Sequence, residues 1–128
     1  MKLGILKSIF ILIIFFTPNF TLADLIEARS AKIKILDKIT SEVLDIEIEI
    51  NKSYSYGNLK ILIYACYKSP PEDIPENYVL LRVFDNIKKD SQKVFQGWMI
   101  SSSPSITPFE HPTYDVWVKD CKINLDSE

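Results

Sequence analysis

Residues Leu44-Asp45-Ile46-Glu47-Ile48-Glu49-Ile50 alternate without a break, with four branched aliphatics on one side of the chain and three carboxylates on the other. Successive side chains of an extended strand point to opposite faces, whereas a helix would scatter these residues around its circumference. The stretch therefore reads as a strand with one buried and one wet face. A row of isoleucines on one face needs a second layer to cover it, so the chain must bring another sheet or a helix against it. Ala31-Lys32-Ile33-Lys34-Ile35-Leu36 repeats the pattern with lysine in place of acid. The two stretches fit together as antiparallel neighbours, with Lys32 and Lys34 across from carboxylates. The acidic row reads as a solvated strand face, with a cation site as the alternative.

Four more stretches have strand character: Leu59 to Tyr67, Tyr78 to Phe84, Gln92 to Ile100 and Tyr114 to Ile123. Leu59 to Tyr67 is apolar on both faces, as a central strand covered on two sides would be. The polar turn from Asp85 to Asp90 joins the next two into a hairpin. On the last strand strict alternation places Asp115, Trp117, Lys119 and Cys121 on one face and Tyr114, Val116 and Val118 on the other. Asp24 to Arg29 reads as a lead-in, Asp37 to Ser41 as a turn, and Asn51 to Asn58 as a connection in which Gly57 supplies a positive φ or a close approach. Ser69 to Glu76, with three prolines, reads as a stiff acidic crossover, with a recognition peptide as the alternative. Gly97 marks a bulge or a close backbone contact beneath Trp98. Ser103 and Pro104 match the cap and first position of a helix, which Pro108 limits to about one turn. Six strands at short spacing without a long helix predict an all-β antiparallel fold, a small sandwich or barrel-like domain.

The chain begins with a basic stretch holding Lys2 and Lys7, then the apolar run Ile9 to Phe16, then Thr21-Leu22-Ala23. This is the pattern of a secretory signal peptide over residues 1–23, cleaved after Ala23. The alternative is an uncleaved anchor, but the run falls short of the roughly 20 apolar residues that a spanning helix needs. No transmembrane anchor is expected after cleavage, and no lipid anchor, since no cysteine follows the cleavage site. The expected mature chain is a single β domain, 24–128, in the periplasm. Losing Lys2 and Lys7 moves the formal net charge from −2 to −4. An acidic product without a basic patch argues against nucleic acid as a partner, and none is expected; it argues equally against electrostatic docking on anionic lipid. Cys66 and Cys121 are the only cysteines. In an oxidising compartment such a pair forms a disulfide, which stabilises a small fold by about 3–4 kcal/mol. One histidine and no Cys-x-x-Cys leave a metal or redox role for the pair without support, and no cofactor is expected.

Gly97 to Cys121 concentrates the unusual residues: both tryptophans, the histidine and three of seven prolines. Its candidate functional surface is Trp98, Ser102, Glu110, His111, Tyr114, Asp115 and Trp117. A serine, an imidazole and a carboxylate are the parts of a nucleophile, base and orienter. No Gly-x-Ser-x-Gly elbow accompanies them, and the serines stand where a helix cap is expected, so no catalytic residue is assigned. His111 with Glu110 and Asp115 supplies one nitrogen and two oxygens, a poor set for a transition metal, and no metal ligand is assigned. His111 before Pro112 reads as a loop residue held extended. Trp98, Phe109, Tyr114 and Trp117 read as core and disulfide packing before they read as a ligand groove.

Gly97-Trp98-Met99, Ser102-Ser103-Pro104, Glu110-His111-Pro112, Tyr114 to Val118 and Cys121 resemble the C-terminal signature of domain-of-unknown-function family 2155, small exported proteins of alphaproteobacteria. Leu36 to Thr40, Gly57 to Ile61, Cys66 with Lys68, and Pro70-Pro71-Glu72 are similar to its earlier blocks, in order. Ser41 stands where a turn glycine is usual, and Pro108 where a helix former is usual. The resemblance implies an envelope location and the cysteine pairing. It also implies an association, through neighbouring genes, with an accessory subunit of the respiratory NADH dehydrogenase. The expectation is a non-catalytic periplasmic domain that binds another envelope protein, as an accessory or assembly factor of a respiratory membrane complex in its specific form. The alternatives are a small-ligand or metal carrier using the aromatic and His111 region, and an envelope hydrolase using His111 with Ser102 or Asp115.

Overall fold

The computed structural model describes residues 3–5 and 24–123. The expected signal peptide, apart from residues 3–5, lies outside them. No helix among the described residues is long and apolar enough to cross a membrane. The fold is all-β and built from eight strands: β1 (Ile26–Glu27), β2 (Ser30–Asp37), β3 (Val43–Glu49), β4 (Ser53–Tyr56), β5 (Leu59–Lys68), β6 (Asn77–Asp85), β7 (Gln92–Ile100) and β8 (Tyr114–Lys122). Every pairing is antiparallel. The smaller sheet runs β3-β2-β8, and the larger runs β1-β5-β6-β7, with β4 paired to β5. β1 and β4 were read as a lead-in and a connection; they pair with opposite ends of β5.

The two sheets pack face to face. Ile33, Ile35, Ile46, Ile48, Val116 and Val118 of the smaller sheet meet Leu59, Ile61, Ile63, Val79, Leu81 and Val83 of the larger, all buried. The alternating segment behaves as its pattern demands: Ile46 and Ile48 are buried while Asp45, Glu47 and Glu49 face outward. Lys32 stands opposite Glu47 and Lys34 opposite Asp45, as expected. The close partners of those acids are others, Lys119 for Asp45 (3.3 Å) and the Ser30 hydroxyl for Glu47.

Both cysteines reach the core through a slip in strand phase. On β5, Leu59, Ile61 and Ile63 point inward, and strict alternation would turn Cys66 outward. The ladder skips Tyr64, pairing Ile63 with Leu81 and Ala65 with Leu80, so Cys66 returns to the inner face. On β8 the ladder skips Lys119, pairing Val118 with Ile33 and Asp120 with Lys32. Cys121 therefore shares the face of Tyr114, Val116 and Val118. The expected grouping of Cys121 with Asp115, Trp117 and Lys119 is corrected on this point. Cys66 and Cys121 lie at disulfide distance, Cα atoms 5.7 Å apart, and tie the larger sheet to the smaller.

Three local expectations need revision. The slip on β7 falls at Val94, not Gly97, which pairs normally with Leu81. A Cβ on Gly97 would meet only Phe95 Cζ, at an ordinary 3.8 Å. Ser103 to Thr107 forms turns, closed by Ile106 N–H donating to the Ser103 carbonyl at 3.2 Å, and no helical turn follows Pro104. The outer face of β5, read as covered, carries no further layer among the described residues.

Candidate functional site

His111 sits in the loop entering β8 and is buried at 8 % exposure. Its Nδ1 accepts the backbone N–H groups of Thr113 (3.1 Å) and Tyr114 (3.2 Å). Those donors fix the tautomer, so the ring proton sits on Nε2 and is donated to Asp85 Oδ2 at 3.0 Å. The ring stacks on Phe109 (centroids 5.8 Å, planes 4° apart) and leans on Tyr114. The hydrogen bond from His111 holds the Asp85 carboxyl below the usual carboxylate range, against a smaller upward push from burial. With both nitrogens engaged, the imidazole has no lone pair free for a substrate proton or a metal. It fastens the last loop to the end of β6.

Ser102 lies at the other end of β6. Its hydroxyl and its N–H both donate to Glu76, and the Ser101 hydroxyl donates to the same carboxylate at 2.8 Å. Burial pushes the Glu76 carboxyl up, but the Ser102 and Ser101 hydroxyls with the backbone N–H groups of Ser102 and Asn77 outweigh it and hold it low. Buried Asn77 continues the network: its amide donates to Ser101 Oγ at 3.1 Å, and its Oδ1 accepts the Cys121 N–H at 2.9 Å. Asn77 and Asp85 are the two ends of β6, so the Ser102 and His111 neighbourhoods stand about 25 Å apart at 3.3 Å per residue. The serine and imidazole that sequence placed in one cluster do not meet.

Asp115 pairs with Lys38 Nζ at 2.9 Å, and the same ammonium donates to the His111 carbonyl at 2.8 Å. Glu110 is exposed at the rim of this corner. Trp117 is half-buried and, with Asp115, Met99 and Phe109, edges an apolar cleft of about 290 Å³ between β7 and β8. Tyr114 is core: its hydroxyl comes so close to Gly57, at φ 53°, that a Cβ there would lie 2.2 Å from it. Phe109 is core as well, whereas Trp98 is 42 % exposed on the outer face of the larger sheet, 6.0 Å from the Tyr67 ring. The seven candidates therefore fall into three places: Glu110, His111, Tyr114, Asp115 and Trp117 around the loop and cleft, Ser102 on Glu76, and Trp98 on the outer sheet face.

Sequence reasoning missed Asp85, Glu76 and Asn77, whose roles depend on strand ends brought together only by the fold. It also missed the outer face around Trp98. Its signal is present in the apolar residues at outward positions of β5, which by pattern read as a strand covered on both sides, and in those of β6. Among the described residues no group of three His, Cys, Asp or Glu side chains is placed to hold a metal.

A family model described as an uncharacterised protein conserved in bacteria matches residues 31–121, from the start of β2 to Cys121. An uncharacterised protein of Rickettsia prowazekii (strain Madrid E) is 36 % identical over 104 residues, 80 % of this chain and 67 % of that protein. No solved structure matches the chain.

Proposed function

The chain belongs to this bacterial family, domain-of-unknown-function family 2155, and on that premise we propose that it is an exported, non-catalytic β-sandwich that binds another protein of the cell envelope. The observation that carries the reading is the employment of its polar side chains. His111 has both nitrogens engaged, the Ser102 hydroxyl is donated to Glu76, and Asp115 is neutralised by Lys38. These groups hold loops to strand ends, and a domain whose reactive groups are spent internally acts through its surface. The buried Cys66–Cys121 pair supports export, since such a bond persists in an oxidising compartment. A specific form of the reading is an accessory or assembly factor for a respiratory membrane complex.

Affinity capture of a C-terminally tagged copy from gently solubilised envelopes tests it. An envelope protein recovered in fixed proportion, retained at moderate salt, is the expected result. Recovery of the chain alone, at every detergent and salt condition that leaves the envelope complexes intact, would overturn it.

A further inference from the structure

The ladders of the larger sheet lay out its outer face in four cross-strand rows. These are Lys60–Phe84–Lys93, Leu62–Arg82–Gln96, Ala65–Leu80–Trp98 and Tyr67–Tyr78–Ile100. One end of the face is aromatic and aliphatic; the other is cationic. Its strands β5, β6 and β7 carry no carboxylate there, in a chain with more acids than bases; Glu27, on edge strand β1, stands beside Tyr67 at the rim of the apolar end. The outer face of the smaller sheet is the internal contrast. There Lys32 and Lys34 alternate with Asp45 and Glu47, as a solvated face does.

Arg82 is the centre of the arrangement. Its guanidinium lies 5.2 Å from the Tyr64 ring and 5.9 Å from the Phe84 ring, and its Nε–H donates to Gln96 at 3.1 Å. Among the described residues no carboxylate lies within ion-pair distance of Arg82, Lys60 or Lys93. The guanidinium thus lies beside two aromatic rings with only its Nε–H engaged, a setting that leaves its remaining donors for a carboxylate. Aromatics and arginine are also the residues enriched at protein interfaces.

We propose that this face docks a segment of a partner protein that carries carboxylates at one end and apolar side chains at the other. The carboxylates meet Arg82, Lys60 and Lys93; the apolar groups meet Trp98, Tyr67 and Leu80. The proposal rests on the binding-domain reading above and gives that binding its face and its chemistry. From Tyr78 to Phe84 the face runs about 20 Å, which an extended segment of about six residues spans. A lipid surface fits less well. Of the large apolar side chains in these rows only Trp98 is exposed, which leaves little to insert, and the chain's net charge opposes an anionic bilayer.

The test titrates the isotope-labelled, disulfide-intact protein with a random copolymer of glutamate and tyrosine, with polyglutamate, and with phosphatidylglycerol vesicles, and follows backbone amide shifts. The copolymer is expected to move amides of β5, β6 and β7 and to bind more tightly than polyglutamate. Arg82→Glu and Trp98→Ala, both on the surface, are each expected to weaken it by about tenfold or more, while Lys34→Glu on the other sheet leaves it unchanged. Shifts that map to another face, equal binding by Arg82→Glu, or vesicles moving these amides where the copolymer does not would overturn the proposal. So would a copolymer that moves no amides. In each of these cases a stoichiometric envelope partner that survives Arg82→Glu leaves the binding reading standing and rejects only this face.

Discussion

Gly57 is where a single methyl group does the most harm. Its φ of 53° is a left-handed conformation, and the Tyr114 hydroxyl fills the space a Cβ needs. Gly57→Ala should cost about 2–4 kcal/mol in urea unfolding, from the backbone penalty plus displacement of a packed ring. In Gly57→Ala/Tyr114→Phe part of that loss should return, because the nearest clashing atom is gone. Ser41 is the opposite case. At φ 61° in the turn between β2 and β3 it carries a strain that glycine lacks, so Ser41→Gly should stabilise by about 0.5–1 kcal/mol. The carboxylates set the acid response. Asp85 and Glu76 both titrate below the ordinary carboxylate range in the folded protein. Their stabilisation is therefore complete above the unfolded-state value, about pH 4, and is lost as pH falls through the lower folded values. Asp85→Asn should flatten the dependence of stability on pH between about pH 5 and pH 2, measured by denaturant midpoints. An unchanged slope would mean that the His111 contact does not hold the carboxyl down.

At the scale of elements, the six long strands are legible from alternation in β2 and β3, from an apolar run rich in branched and aromatic residues in β5, and from strand composition between turn signals in β6, β7 and β8. β1 and β4, two and four residues long, were not, because so few residues carry no period and their pairing comes from the neighbour β5. The slips at Tyr64, Val94 and Lys119 were also unreadable. A bulge keeps strand composition and changes only phase, so Cys121 looked like a partner of Trp117. The phase can be tested directly. One alanine inserted between Asp120 and Cys121 should turn the cysteine outward and leave two free thiols in thiol titration. Deleting Lys119, which regularises the ladder, should leave the disulfide formed. The candidate site was legible only in part. The Phe109–His111–Tyr114 stack is local in sequence and was singled out, whereas the pairing of each strand end with its loop joins residues about 25 apart.

For the whole molecule, the Cys66–Cys121 pair closes a loop of 55 residues across the two sheets. Removing it by Cys66→Ala/Cys121→Ala should lower stability by about 4 kcal/mol in the chain-entropy account, a large part of what a domain this size possesses. The fold thus joins a disulfide-dependent sandwich, reactive side chains spent on strand ends, and one sheet face left aromatic and cationic. The disulfide belongs to the proposed exported state, since a chain kept in the reducing cytoplasm would hold two free thiols. The most direct test is the intact mass, without reductant, of the protein recovered from fractionated cells. A species in the envelope fraction that begins at Asp24 and lacks two hydrogens relative to the dithiol form is the predicted result. A cytoplasmic species that begins at Met1 with two free thiols would contradict it.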